Sequence, residues 1–130
     1  MQAEIDKINK FLQSHQWCDF EVIELKGNLH IGGKTSFSNK HDIVIIFTDV
    51  FFMQILYEWQ TDTQSIAFEI PDIQEQRQIN IKFGIEQGFQ LYKIHAEGLE
   101  SPLYVSSKGI LVELDSADLS PRARIYNPCP

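Results

Sequence analysis

The sequence predicts an α+β protein, mainly β: one N-terminal helix packed on an antiparallel sheet or sandwich of about seven or eight strands. Three observations predict it. Helical spacing of apolar residues opens the chain, with Ile5, Ile8 and Leu12 at i, i+3 and i+7. After residue 17 the pattern changes to short runs in which apolar and polar residues alternate. The connections between those runs are brief and carry Gly, Asn, Ser, Pro and Asp, which suits hairpins between neighbouring antiparallel strands.

Residues 3–15 read as the helix; Phe11 widens its apolar stripe, while Glu4, Asp6, Lys7 and Lys10 lie off it. Residues 18–26 read as a strand stopped by Gly27-Asn28. A short strand over Leu29–Ile31 turns at Gly32-Gly33 into Lys34–Phe37, and 42–47 are apolar on both faces, as in a central strand. Residues 50–59 fit two patterns. As a strand, Phe51, Met53, Ile55, Tyr57 and Trp59 share a face; as a helix, Phe52, Ile55, Leu56 and Trp59 do. The aromatic content favours the strand. Ser65–Ile70 is a strand ended by Pro71-Asp72. Residues 79–86 alternate cleanly, with Ile79, Ile81, Phe83 and Ile85 on one side, and predict another. Further strands follow at Phe89–Glu97, Leu103–Ser106 and Ile110–Leu114. The expected division is one globular domain over 1–115 and an extended, Pro-containing tail over 116–130.

The chain has 130 residues, 43% hydrophobic and 22% charged, which suits one domain with its own core. Its net charge of −7 argues against neutralising a nucleic-acid backbone or an anionic membrane surface, since both require clustered Lys and Arg. The N-terminus lacks the continuous apolar core of a secretory leader, and no apolar run approaches the ~18 residues of a membrane helix. The expected compartment is therefore the reducing cytoplasm, with Cys18 and Cys129 as free thiols.

The motifs that could carry chemistry are incomplete. Gly32-Gly33-Lys34-Thr35 ends like a phosphate-binding loop, but Asn28 stands where the first glycine is required. Pro71-Asp72 with Asn80-Ile81-Lys82 approaches a metal-dependent nuclease pattern, but Asn80 replaces the second carboxylate. His15 and Cys18 form one loose pair without the partner pair of a structural zinc site. No nucleophile elbow is present. No catalytic residue, metal or cofactor is expected.

Acid is concentrated in 58–80, where Glu58, Asp62, Glu69, Asp72 and Glu75 face only Arg77. The aromatic stripe Phe51, Phe52, Tyr57 and Trp59 reads by default as core; in the other reading an exposed Tyr57/Trp59 edge makes this segment a candidate partner-binding surface for a basic protein, because Tyr and Trp are favoured anchors of interfaces. On the strand that starts at residue 18, Trp17, Asp19 and Glu21 fall on one face and Cys18, Phe20 and Val22 on the other.

Trp17-Cys18-Asp19-Phe20-Glu21-Val22 resembles the opening motif of a family of small bacterial immunity proteins from polymorphic toxin systems. Trp17, Asp19, Glu21 and Val22 match it, and Cys18 and Phe20 depart from it. The segment from Phe47 to Ile66, then Tyr92-Lys93-Ile94 and Ile110-Leu111-Val112, is similar to the family's middle and final strands. The resemblance implies a protein that neutralises a toxin by binding it, without catalysis. Two other readings are carried forward: a metal-binding protein or small enzyme using His15, Cys18, Asp19 and Glu21, and a structural subunit of a homo-oligomer, such as a homodimer, with 50–59 at its interface.

Overall fold

The computed structural model describes residues 1–115, so the expected tail, with Cys129, Arg122 and Arg124, lies outside the described residues. The chain begins with α1 (Gln2–Gln13), whose Ile5, Ile8 and Leu12 are buried as the i, i+3, i+7 spacing requires. Each such side chain stabilises the fold by roughly 1.5–3 kcal/mol. Ser14 ends the helix. Its hydroxyl and the Nδ1 of His15 both donate to the Phe11 carbonyl, at 2.7 and 2.9 Å. His15 thus caps a helix C-terminus, where a proton donor suits the dipole.

Seven strands follow: β1 (Cys18–Lys26), β2 (Asn28–Lys34), β3 (Ile43–Gln54), β4 (Glu58–Thr61), β5 (Phe68–Glu69), β6 (Gln90–Ile94) and β7 (Leu103–Leu114), with α2 (Ile73–Phe83) between β5 and β6. They form one antiparallel sheet in the order β4-β1-β2-β3-β7-β6-β5. The fold class is therefore α+β and mainly β, as expected.

The sheet is curled. β1 and β5 have four strands between them in that order, yet the Phe20 and Phe68 rings meet edge-on at 5.5 Å. The residue-97 amide, just past β6, donates to the Gln60 carbonyl of β4 at 2.8 Å. The ends of the sheet thus approach one another, and α1 fills the concave side. The core joins Ile5, Ile8 and Leu12 to Phe20, Phe47, Phe68, Tyr92 and Val105.

One polar residue holds this arrangement. Asn9 of α1 donates from Nδ2 to the Phe68 carbonyl at 2.8 Å, and its Oδ1 accepts from the Ala67 and Phe68 amides. The side chain takes the place of a strand neighbour along the two-residue edge β5, which also blunts that edge against wrong pairing. Asn9→Ala strands three backbone groups and is expected to destabilise the protein by about 2 kcal/mol. Urea denaturation checks this, and loss of amide protection at 67–68 in hydrogen exchange locates it.

Several expected elements differ. Residues 79–86 are not a strand: α2 occupies 73–83. Asp72 caps it by accepting from the Glu75 amide at 2.8 Å, and Gly84 closes it in the left-handed conformation at φ 64°. Caps at both ends and a polar run of helix formers outweigh the alternation, and Ile81 points to solvent at 82% exposure. Two helices, not one, are therefore present among the described residues.

Gly32-Gly33 is not a turn. β2 passes straight through it to Lys34, and 34–37 adds no strand. Residues 50–59 are extended rather than helical, but they split: β3 runs unbroken from 43 to 54 across a bulge near Val50, and β4 starts at Glu58. The two short strands expected after residue 102 are one, β7, which carries Lys108-Gly109 within it as the long partner of β3. Ser65–Ile70 contracts to Phe68–Glu69, and Phe89–Glu97 to Gln90–Ile94. Among the described residues no helix is long and apolar enough to cross a membrane.

Candidate functional site

β1 alternates as its sequence requires. Cys18 and Phe20 are buried against the core, while Asp19 and Glu21 turn to the convex face. The partner strands decide what surrounds them. Asp19 pairs with Lys34 of β2 and Gln60 of β4; Glu21 pairs with Gly32 and Glu58. Two sets of residues that lie far apart in the chain, the Asp19/Glu21 face and the start of the acidic 57–75 segment, thus become one surface. Asp19, Glu21, Lys34, Glu58 and Gln60 line a hollow of about 400 Å³.

Glu21 is the best-held carboxylate in it. His41 Nε2 donates to Glu21 Oε2 at 2.7 Å, and Lys34 Nζ lies 3.6 Å from the same oxygen. The His41 hydrogen bond, reinforced by Lys34, holds the Glu21 carboxyl below its ordinary value against a smaller opposing effect of burial. Gly32 makes the contact possible: a Cβ there would stand 2.5 Å from His41 Cδ2. Asp19 and Glu58 make no ion pair with the described residues.

Trp17, just before β1, rests its ring 5.3 Å from that of Phe37, whose side chain is 97% exposed. Tyr57 is also exposed, but Trp59 is not. Its side chain is 6% exposed and stacks on Phe20 at 5.6 Å, inside the curl of the sheet. Of the two readings of the aromatic stripe, core therefore holds for Trp59, and the exposed edge is limited to Tyr57. Strand alternation sends neighbours 58 and 59 to opposite faces, and the concave side takes the indole.

The rest of the acidic segment divides. Asp62 and Glu69 line a second hollow of about 370 Å³ with Ser65, His95 and Glu97, where His95 Nε2 donates to Glu69. Asp72 caps α2. Glu75 faces the sheet, accepting from Lys93 Nζ at 2.9 Å and from the Tyr104 hydroxyl. Burial works to raise the Glu75 carboxyl, but Tyr104 and Lys93 together outweigh it and hold it below its usual value. Glu75 pins α2 to the sheet, and no signal in the local sequence marks that role.

His15, Cys18, Asp19 and Glu21 do not converge. His15 caps α1, and Cys18 lies in the core on the other side of the strand from Asp19. Burial foremost, with Asp19 and Asp42 adding to it, pushes the Cys18 thiol up to about 12, so it behaves as a small apolar group. Among the described residues no group of three or more His, Cys, Asp or Glu side chains is placed to hold a metal ion.

The fold and this face define a class: a curled antiparallel sheet closed over one helix, with an acidic hollow on its convex side. Comparison of the chain with protein-family models, curated proteins and solved structures finds no match in any of the three.

Proposed function

We propose that this protein is a non-catalytic binding domain that recognises a basic partner protein through the Asp19/Glu21/Glu58 face, in the manner of an immunity protein that neutralises a toxin by occupying it. The observation that carries this reading is the pairing of Glu21 directly opposite Glu58 on adjacent strands, at the rim of an accessible hollow. Like charges facing across a ladder are unfavourable, and among the described residues Glu58 makes no ion pair that offsets it. A fold that keeps such a pair in an open hollow gains from a cationic group arriving there. Charge complementarity of this kind supplies specificity and a fast on-rate.

Two measurements test the reading. Glu58→Gln removes the repulsion and is expected to stabilise the free protein by roughly 0.2–1 kcal/mol. Titration with octalysine, followed by amide NMR shifts, is expected to move residues 19–21 and 58–60 first. The double variant Asp19→Asn/Glu58→Gln should bind about three- to tenfold more weakly, with a shallower dependence on salt. Shifts spread evenly over all acidic surfaces, or unchanged in the double variant, contradict the assignment.

A further inference from the structure

We infer that Phe37, beside Trp17, is the apolar anchor of the acidic face, and that the partner surface it fits is an apolar socket rimmed by Lys or Arg. The inference rests on the reading of the Asp19/Glu21/Glu58 face as a partner-binding site. An isolated exposed apolar side chain is ordinary on a protein surface. Three features set Phe37 apart. Its ring, though 97% exposed, has an aromatic neighbour in Trp17, with centroids 5.3 Å apart and planes tilted at 43°. The loop that presents it is tied at both ends. Asp42 Oδ2 accepts from the amide and hydroxyl of Thr35 at 2.8 and 2.6 Å, and Lys40 pairs with Asp115 at 2.7 Å. An anchor presented on a tethered loop loses little conformational entropy when it binds.

The third feature is position. Phe37 stands three residues beyond Lys34, and Trp17 two residues before Asp19, and both Lys34 and Asp19 line the acidic hollow. An apolar projection beside a concave anionic site reads as a two-part footprint: a ring to bury and carboxylates to pair. The hollow sets Asp19, Glu21 and Glu58 against Lys34, so the complementary surface is cationic around the socket.

Selection from a library of random 12-residue peptides displayed on phage tests this, with the full chain immobilised as wild type, Phe37→Ala and Asp19→Asn/Glu58→Gln. The wild type is expected to enrich peptides that combine Lys or Arg with a bulky apolar residue. Phe37→Ala should keep the cationic enrichment and lose the apolar one, and should bind a peptide selected on the wild type about tenfold more weakly. Phe37→Leu should recover part of that loss. Thermal melting checks that Phe37→Ala folds as the wild type does.

Equal apolar enrichment on wild type and Phe37→Ala, or affinities within about twofold, overturns the anchor while leaving the acidic site standing. Absence of cationic enrichment on the wild type overturns the acidic site and the anchor with it. Light scattering that shows a dimer abolished by Phe37→Ala assigns the face to a second copy of this chain and overturns the basic partner.

Discussion

Phe20→Ala is expected to destabilise the protein by about 3–5 kcal/mol, read as a fall in the urea midpoint with the slope unchanged. Phe20 is 1% exposed and sits where the sheet curls closed. Its ring stacks on Trp59 of β4 at 5.6 Å and meets Phe68 of β5 edge-on at 5.5 Å. Those two strands are the ends of the sheet, and Phe20 is the side chain that touches both. Truncation opens a cavity that the surroundings cannot fill by local shifts, because both neighbours are themselves fixed by ladders and by Asn9. The loss is a large share of the ~5–15 kcal/mol available to a domain. A control separates closure of the sheet from simple burial. Phe47→Ala removes a ring of the same size, equally buried, from the central strand β3, where its neighbour is Tyr92. Both variants should lose stability, but only Phe20→Ala should raise hydrogen exchange at β4 and β5 together. Equal exchange patterns in the two variants contradict the role given to Phe20.

What could be read from the residues follows from how local each signal is. Helix α1 and the alternation of β1 were legible, because one face of each is buried and the periodicity records it directly. Residues 79–86 misled, because Ile79, Ile81, Phe83 and Ile85 alternate although only Ile85 of the four is buried; Ile81 is in solvent. The corrective signal was present in Asp72-Ile73-Gln74-Glu75, a capping arrangement, and in Gly84 at the far end. Asp19 and Glu21 were legible as a face, but Glu58 opposite Glu21 was not, since strand register is a tertiary fact. Trp59 had two readings for the same reason: its type suits an interface or a core, and only the curl of the sheet selects the core. Phe37 carried no signal, because nothing in Ser36-Phe37-Ser38 distinguishes a buried ring from a presented one.

Gly33→Ala is expected to destabilise the protein by about 3 kcal/mol, and Gly32→Ala by about 1, although the two glycines are neighbours on one strand. Both read as turn residues in the sequence; in the fold each is a gap in one face of β2. On the concave side, a Cβ at Gly33 would stand 2.7 Å from Ile43 Cγ2 and 2.8 Å from both Cys18 Sγ and Phe20 Cε1. All three belong to buried core residues, so the new methyl forces β1 and β3 apart. On the convex side, a Cβ at Gly32 meets the His41 ring and the tip of Ile23, both of which can swing toward solvent. That movement breaks the His41 bond to Glu21 and gives the second variant a signature in pH. In the wild type the Glu21 carboxyl is held below its ordinary value, so its stabilisation is present above the unfolded carboxylate range and is lost as pH falls through the lower folded value. In Gly32→Ala that contribution is gone at every pH. The stability gap between wild type and Gly32→Ala should therefore narrow as pH falls from 7 to about 3, while the gap for Gly33→Ala stays constant. Urea denaturation of the three proteins at a series of pH values measures both gaps. A gap for Gly32→Ala that does not change with pH would sink the assignment of Gly32 as the space that lets His41 reach Glu21.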